Sequence, residues 1–239
     1  MSTQKALLNV AISDAFPCSY LSDQQEQLLL LIDPQLNGRH FYPTLLANGF
    51  RRNGDQLYRP HCRLCQECQS LRTPVQQFKA SRSQKRLNNK NKKFRVQIST
   101  NTSTQYFSLY QNYINKIHKD GPMFPASVEQ YDDFINSTWN EPLFIEIYDQ
   151  EKLISVSVTD QVKSKKNQSW SAFYCFYDPT YQHYSLGKFA ILSQLKLAKK
   201  LGIDWLYLGY YIEKCQKMNY KTGFMPHQRF IGEQWFDFN

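Results

Sequence analysis

Ser185-Leu-Gly-Lys-Phe-Ala-Ile-Leu-Ser-Gln-Leu-Lys-Leu-Ala-Lys-Lys-Leu-Gly-Ile-Asp-Trp-Leu-Tyr-Leu-Gly-Tyr210 decides the fold. Its first part reads as a helix from about Ser185 to Leu201, stopped by Gly202, which can adopt the left-handed cap conformation. Ile203–Tyr210 reads as a buried strand. Just upstream, Leu143–Tyr148, Leu153–Asp160 and Trp170–Tyr177 read as three further strands. Strand, helix, strand is a β-α-β crossover, which joins parallel neighbours in one sheet. Preceded by directly succeeding strands, it makes the chain an α+β or α/β sheet protein.

Upstream of the strands, Tyr106, Tyr110, Tyr113, Ile114 and Ile117 fall on one helical face. They are candidate core residues, with base stacking by the tyrosines as the alternative. Ser127 to Gln130 forms a capping box that opens a helix to about Ser137. Phe94, Val96 and Ile98 alternate, which predicts a strand over Phe94–Ser99. The first third is irregular and polar. There, Ser22 to Gln25 predicts a helix through Leu28–Ile32 that stops at Asp33–Pro34, and Asn48–Gly54 predicts a turn before a short strand at Leu57–Tyr58. A division near residue 100 separates a smaller N-terminal cysteine-containing region (1–100) from the sheet region (101–239).

Lys and Arg number 29 against 20 Asp and Glu, a formal charge of +9 over 239 residues. No acidic residue lies between Glu67 and Asp120, and residues 68–119 hold 11 of the 29 cations. The remaining 18 face all 20 acids, so the excess sits in one contiguous fifth of the chain. Such a block points to a polyanion, most often nucleic acid, with a solvated basic face as the plain alternative. Hydrophobic residues at 41% and aromatics at 15% exclude a disordered chain. The longest aliphatic run, Leu28–Ile32, is far short of the ~18–20 apolar residues of a membrane span. There is no signal-peptide pattern, so a cytoplasmic location is expected, and six cysteines there bind metal or stay free. Cys62, Cys65 and Cys68 have the two-residue gaps that let thiolates converge. Cys18 is the candidate fourth ligand, His61 the next. An iron–sulfur cluster, zinc, or three reduced thiols are all open. Cys175 and Cys215 are expected to pack as small hydrophobes.

Arg82 to Arg95 is the densest basic stretch, and Arg82, Lys85, Lys90, Lys92 and Lys93 are candidate RNA-phosphate ligands. Several short motifs then carry a family resemblance. In the N-terminal half they are Cys18-Ser-Tyr20, Gly49-Phe-Arg-Arg-Asn-Gly54, Tyr58-Arg-Pro60, the three spaced cysteines and Ser81-x-Ser-Gln-Lys-Arg86. In the C-terminal half they are Phe176-Tyr-Asp-Pro179, Ser185-Leu-Gly187, Trp205-Leu-Tyr-Leu-Gly-Tyr210 and Lys217-Met-Asn-Tyr-Lys221. Together they resemble the aminoacyl-tRNA–protein transferases, nearest to the bacterial aspartate/glutamate leucyltransferase group, relatives of the eukaryotic arginyltransferases. The resemblance implies transfer of leucine, or arginine, from charged tRNA to the N-terminal Asp or Glu of acceptor proteins, creating a degradation signal. It also implies a C-terminal domain similar to the GNAT acyltransferase fold. A CoA-dependent N-acetyltransferase of that fold needs a glycine-rich pyrophosphate turn, and Tyr184-Ser-Leu-Gly-Lys188 has one glycine only. A non-catalytic, metal-binding RNA module is the other class.

An aminoacyl ester is already activated, so juxtaposing it with an amine can supply most of the rate, and no cofactor is required for the chemistry. Asp160, at a strand end, is a candidate to accept the amine proton or to bind the ammonium, or else ends the strand in a turn. Tyr177 and Tyr207 are candidates to orient the ester. Asp178 precedes a proline and reads as a turn residue. A carboxylate side chain on the acceptor calls for guanidinium groups, and Arg51, Arg52, Arg72 and Arg86 are the candidates. Lys217 and Lys221 are candidate contacts to the tRNA acceptor end. His118 is a candidate for a local hydrogen bond or for catalysis.

Overall fold

The computed structural model describes residues 9–32, 38–121, 123–165 and 167–239. The expected run of strands is present as β9 (Leu143–Asp149), β10 (Lys152–Lys163) and β11 (Gln168–Tyr177), paired antiparallel in sequence. Here α5 (Leu186–Lys200) crosses to β12 (Trp205–Tyr211), which lies parallel to β11, as the β-α-β pattern requires. The N-terminal elements are β1 (Val10–Ile12), β2 (Phe16–Pro17), β3 (Gln25–Glu26), β4 (Leu28–Leu31), α1 (Gly38–Ala47), β5 (Arg51–Asn53) and β6 (Gln56–Pro60). After them come β7 (Gln69–Pro74), α2 (Arg82–Lys90), β8 (Arg95–Ser99), α3 (Gln105–Ile117) and α4 (Val128–Ile135). The chain ends with α6 (Gln216–Asn219), β13 (His227–Ile231) and β14 (Gln234–Phe238).

Eight strands form one sheet in the order β14-β13-β7-β12-β11-β10-β9-β8, and β1-β4-β6-β5 form a smaller one. Both β7 and β8 come from before residue 100 yet belong to the large sheet, so a cut at that residue does not fall between two sheets. One face of the large sheet packs on α5 through Leu71, Trp170, Leu206 and Leu208, with Leu87 of α2 added at the edge. The opposite face takes α3 and α4 through Tyr106, Tyr110, Ile114 and Tyr131. It also takes α1 and the small sheet through Tyr42, Leu46, Leu57, Val162 and Tyr207. Burying each large apolar side chain contributes about 1.5–3 kcal/mol, and it is this two-sided burial that fixes the layers.

Two expectations fail in the first third. Leu28–Leu31 is a strand between β1 and β6, not a helix. A four-leucine run is too short to carry a helical stripe, and both neighbouring strands are available to satisfy its backbone. Asp33 and Pro34 lie outside the described residues. The helix α1 was not anticipated, because Pro43 interrupts its pattern. Its tie to the rest of the molecule is tight at Gly38, where a Cβ would lie 2.4 Å from the Trp139 ring.

The sheet splits at one place. β11 and β12 pair only at Ser169–Ser171 with Trp205–Tyr207. Beyond that, each keeps only its outer neighbour, and the register of β12 on β7 shifts between Tyr207 and Gly209. Gly209 has φ +82°, a conformation that a side chain disfavours.

Candidate active site and nucleic-acid interface

Register lines up Asp160, Ser171, Tyr207, Arg72, Gln228 and Asp237 on six adjacent strands. Directly paired residues share a face, so this row of polar groups faces α1 and the small sheet. Arg72 donates from Nη1 to Tyr207 Oη (2.9 Å) and from Nε to Gln228 Oε1 (2.7 Å), and Gln228 donates to Asp237 (2.9 Å). The Arg72 guanidinium lies between Trp205 and Trp235, 4.1 and 4.0 Å from the ring centres. Two expected site residues, Arg72 and Tyr207, therefore meet.

Asp160 and Arg52 also meet, which alters both expected roles. The Asp160 carboxylate accepts from Arg52 Nε (3.0 and 2.9 Å), Arg52 Nη2 (2.8 Å), Tyr42 Oη (2.9 Å) and Asn140 Nδ2 (2.7 Å). Both charged side chains are wholly buried, and Arg52 stacks 3.8 Å from the Phe173 centre. Arg52 already holds a carboxylate, and Asp160 has no lone pair facing solvent. The ion pair locks α1 and β5 onto β10. Tyr42 and Asn140, which complete it, carried no signal in the sequence.

Arg51 has no such partner. Its guanidinium is buried, donates to Phe50 O and Ser70 Oγ, and leaves Nε unbonded. It lies 5.5 Å from the Tyr207 ring centre and 5.4 Å from that of Tyr210. Neither Arg51 nor Arg72 has a carboxylate ion-pair partner among the described residues. Lys221 is buried too, so it is not placed to reach a phosphate, contrary to expectation. Its Nζ donates to Tyr210 O (2.5 Å) and Met218 Sδ (3.3 Å). Burial and the nearby Arg51 charge lower its pKa to about 7. Tyr177 lies at the far end of β11, past the split, with its ring 4.9 Å from Tyr113. It is thus apart from Tyr207 and near Tyr220, whose hydroxyl is held neutral by burial and by Cys175 and Tyr177.

The basic block is a helix. Ser81 Oγ accepts from Gln84 N and Gln84 Oε1 accepts from Ser81 N, a reciprocal cap that starts α2. Arg82, Lys85, Arg86, Lys90, Lys92 and Lys93 are all exposed. Arg86 stands with these and not with Arg51 and Arg72, because α2 packs on the α5 side of the sheet. Lys90 donates to His183 O (2.7 Å), and Lys93 lies 4.8 Å from the Tyr184 ring centre. This brings cations to the start of α5, whose cap residue Ser185 makes no side-chain capping bond. Such an end presents free N–H groups to an anion. Lys188 reaches over it to 5.9 Å from the Tyr220 ring centre. Lys217 is exposed and pairs with Asp120 at 3.6 Å. Tyr106, Tyr110 and Tyr113 are core, as first read, and His118 bonds Tyr113 Oη at 3.1 Å. The Asp178 side chain accepts from Thr180 in the expected turn and also pairs with Lys152 at 2.8 Å.

All six cysteines are free thiols. Cys18, Cys62, Cys65 and Cys68 share one neighbourhood, where burial and the other thiols push Cys62 up and Cys68 up to about 12. Four neighbouring thiols, with Cys62 and Cys68 made harder to ionise by the others, are a donor set of the soft type. As placed here, no three His, Cys, Asp or Glu among the described residues converge as ion ligands.

Residues 16–86 match the family described as arginine-tRNA-protein transferase, N terminus, and residues 105–231 match its C terminus. The aspartate/glutamate leucyltransferase of Aeromonas hydrophila is 45% identical over 233 residues, covering 98% of this chain and 96% of that one. That of Pseudoalteromonas atlantica is 44% identical over 228 residues, covering 95% and 96%. Among solved structures, the C-terminal domain of a putative lysylphosphatidylglycerol synthetase from Agrobacterium fabrum aligns at TM-score 0.48 and 8% identity, over 83% of this chain and 63% of that one, too distant to bear on the fold. With both halves matched and identity of this depth along nearly its whole length, the chain belongs to the arginine-tRNA-protein transferase family.

Proposed function

We propose that this chain transfers leucine from aminoacyl-tRNA to the N-terminal Asp or Glu of acceptor proteins, marking them for degradation in the cytoplasm. The observation that carries the acceptor side is that Arg51 and Arg72 adjoin the split sheet without a carboxylate of their own. An incoming acidic side chain supplies it, and the planar fork of Arg72, stacked between two tryptophans, suits bidentate capture. On the other side, the cations of α2 and Lys188 gather at the uncapped start of α5, which supports tRNA phosphates running toward the split. No helix among the described residues is long and apolar enough to cross a membrane.

The ester and the α-amine meet where β11 and β12 part. An α-amine has a reference pKa of about 8, so a modest proton acceptor suffices, and fixed geometry supplies most of the acceleration. Tyr207 acts by holding Arg72, Tyr177 lines the path of the ester, and Asp160 acts through Arg52 as a positioning group. The parallel β11-α5-β12 unit and its split support the GNAT-like architecture. Cys18, Cys62, Cys65 and Cys68 would have to draw closer than they stand here to hold a zinc ion or iron–sulfur cluster, and no step of the transfer is routed through one.

The test pairs tRNA charged with labelled leucine or arginine with peptides beginning Asp, Glu or Ala. Label on Asp and Glu peptides from leucyl-tRNA, and none on Ala, is expected. No label from either tRNA overturns the reading: tRNA binding alone leaves an RNA-binding module, and acetyl-CoA turnover an N-acetyltransferase.

A further inference from the structure

Lys221 is not used by the function so far, and its surroundings are unusual for a lysine. It sits just after the α6 turn, against β12, and is buried. An ammonium there carries three N–H groups, but Nζ finds two acceptors, Tyr210 O and the weak acceptor Met218 Sδ. A neutral amine fits that count: two N–H groups donated and one lone pair left over. Nζ lies beside Gly209 of β12, past the last β11–β12 pair, where a Cβ would stand 3.6 Å from it.

We propose that Lys221 is the proton acceptor of the reaction, a neutral buried amine whose lone pair takes a proton from the α-ammonium of the acceptor protein. This rests on the transferase reading above. The position agrees with it: Tyr220, the preceding residue, lies beside Lys188 at the start of α5, where the tRNA end is expected. Three titratable groups act on Lys221: Arg51 of β5, Cys68 before β7 and Cys215 before α6. No carboxylate is among them. Burial and the neighbouring Arg51 cation both disfavour a second positive charge at Nζ.

The step balances without any added reactant. The α-ammonium gives its proton to Lys221 Nζ, and the freed amine attacks the ester carbonyl. The C–N bond forms, the bond to the terminal ribose oxygen breaks, and that oxygen leaves with a proton from the attacking nitrogen. Lys221 then returns its proton to water. With its pKa near 7 against about 8 for the amine, the first transfer is uphill by only about tenfold.

The experiment is single-turnover transfer from leucyl-tRNA to a saturating Asp peptide, from about pH 5.5 to 8.5, for wild type, Lys221→Arg and Lys221→Met. The wild-type rate should break near pH 7. Both variants should lose about 10²–10⁴ in rate, keep tRNA affinity, and retain only a break near the amine's own pKa of about 8. A variant that keeps the wild-type rate and the break near 7 overturns the role of Lys221 while the transferase reading stands. A wild type that transfers nothing fails that reading first. Should both variants misfold, the ¹³Cε signal of Lys221 in lysine-labelled wild type decides. A midpoint near 7 supports the proposal; one near the ordinary lysine value of about 10.4 overturns it.

Discussion

Asp160→Asn separates a scaffold from a catalyst. The substitution keeps the volume of a side chain that receives five donor contacts from Arg52, Tyr42 and Asn140. It also leaves the Arg52 guanidinium wholly buried with no counter-ion and aims an amide N–H at one of those donors. Removing one partner of a buried pair costs about 3–5 kcal/mol, chiefly the penalty of the orphaned charge. Arg51, the next residue, is another buried cation without a carboxylate, so the upper half of that range applies here. Against a total stability of about 5–15 kcal/mol, the loss is a large fraction. With a urea m-value of about 2–3 kcal/mol/M, the unfolding midpoint should fall by roughly 1.5–2 M. Adding Arg52→Met should recover most of it, since the charge orphaned by the substitution is then removed as well. Transfer per folded molecule, assayed cold, should stay within about threefold of wild type if the pair only positions β5 and α1. An unchanged midpoint with a rate loss of a hundredfold or more would refute this and put the carboxylate in the chemistry.

Arg72→Lys keeps the charge but loses the fork to Tyr207 and Gln228 and the double stacking. KM for Asp peptides should rise about 10–100-fold with tRNA affinity unchanged, and an unchanged KM would refute acidic recognition by Arg72. Arg82→Ala with Lys85→Ala should weaken tRNA binding and reduce the slope of log K against log salt by about 1.4–1.8, and an unchanged slope would remove α2 from the interface. His227 is held down to about pKa 4 by burial and by Arg229, against 6.5 for the free side chain. The unfolded chain takes up a proton below about 6.5 and the folded one does not until about 4, so stability is lost as pH falls through that window. His227→Gln should flatten that loss between pH 7.5 and 5 in urea unfolding, and an identical acid loss in both proteins would count against it.

The second half was legible because its elements are long and periodic. Tyr106 to Ile117, the strands from Leu143 onward and the helix closed by Gly202 each repeat at one period with a stop signal. The first third was not, because its pieces are two to five residues long and depend on distant partners. Leu28–Leu31 becomes a strand only because β1 and β6 flank it. The same holds for the site. Arg51, Arg52 and Arg72 look alike along the chain, yet one is orphaned, one is neutralised by Asp160 and one is stacked between tryptophans. Nothing local to Arg52 announces an acid more than a hundred residues away. The burial of Lys221 was hidden for a related reason, since a lysine beside Lys217 in a polar segment reads as solvated until the cover from β5 and β12 is known.

Strand alternation changes the meaning of the basic block. The cations of 68–119 appear as one run, but Arg72 lies on β7 with its side chain on the face opposite Leu71, and Leu71 packs with α5. The helix α2 docks on that α5 side, so Arg82 to Lys93 and Arg72 are divided by the sheet itself. On the transferase reading, this division solves a physical problem. A tRNA carries many phosphates and would outcompete a single carboxylate for any cation both could reach. Putting the carboxylate receptor behind a β-strand, beneath Trp205 and Trp235, removes it from that competition. The two substrates then share only the gap between β11 and β12, where the sheet is open and where their reacting atoms must meet.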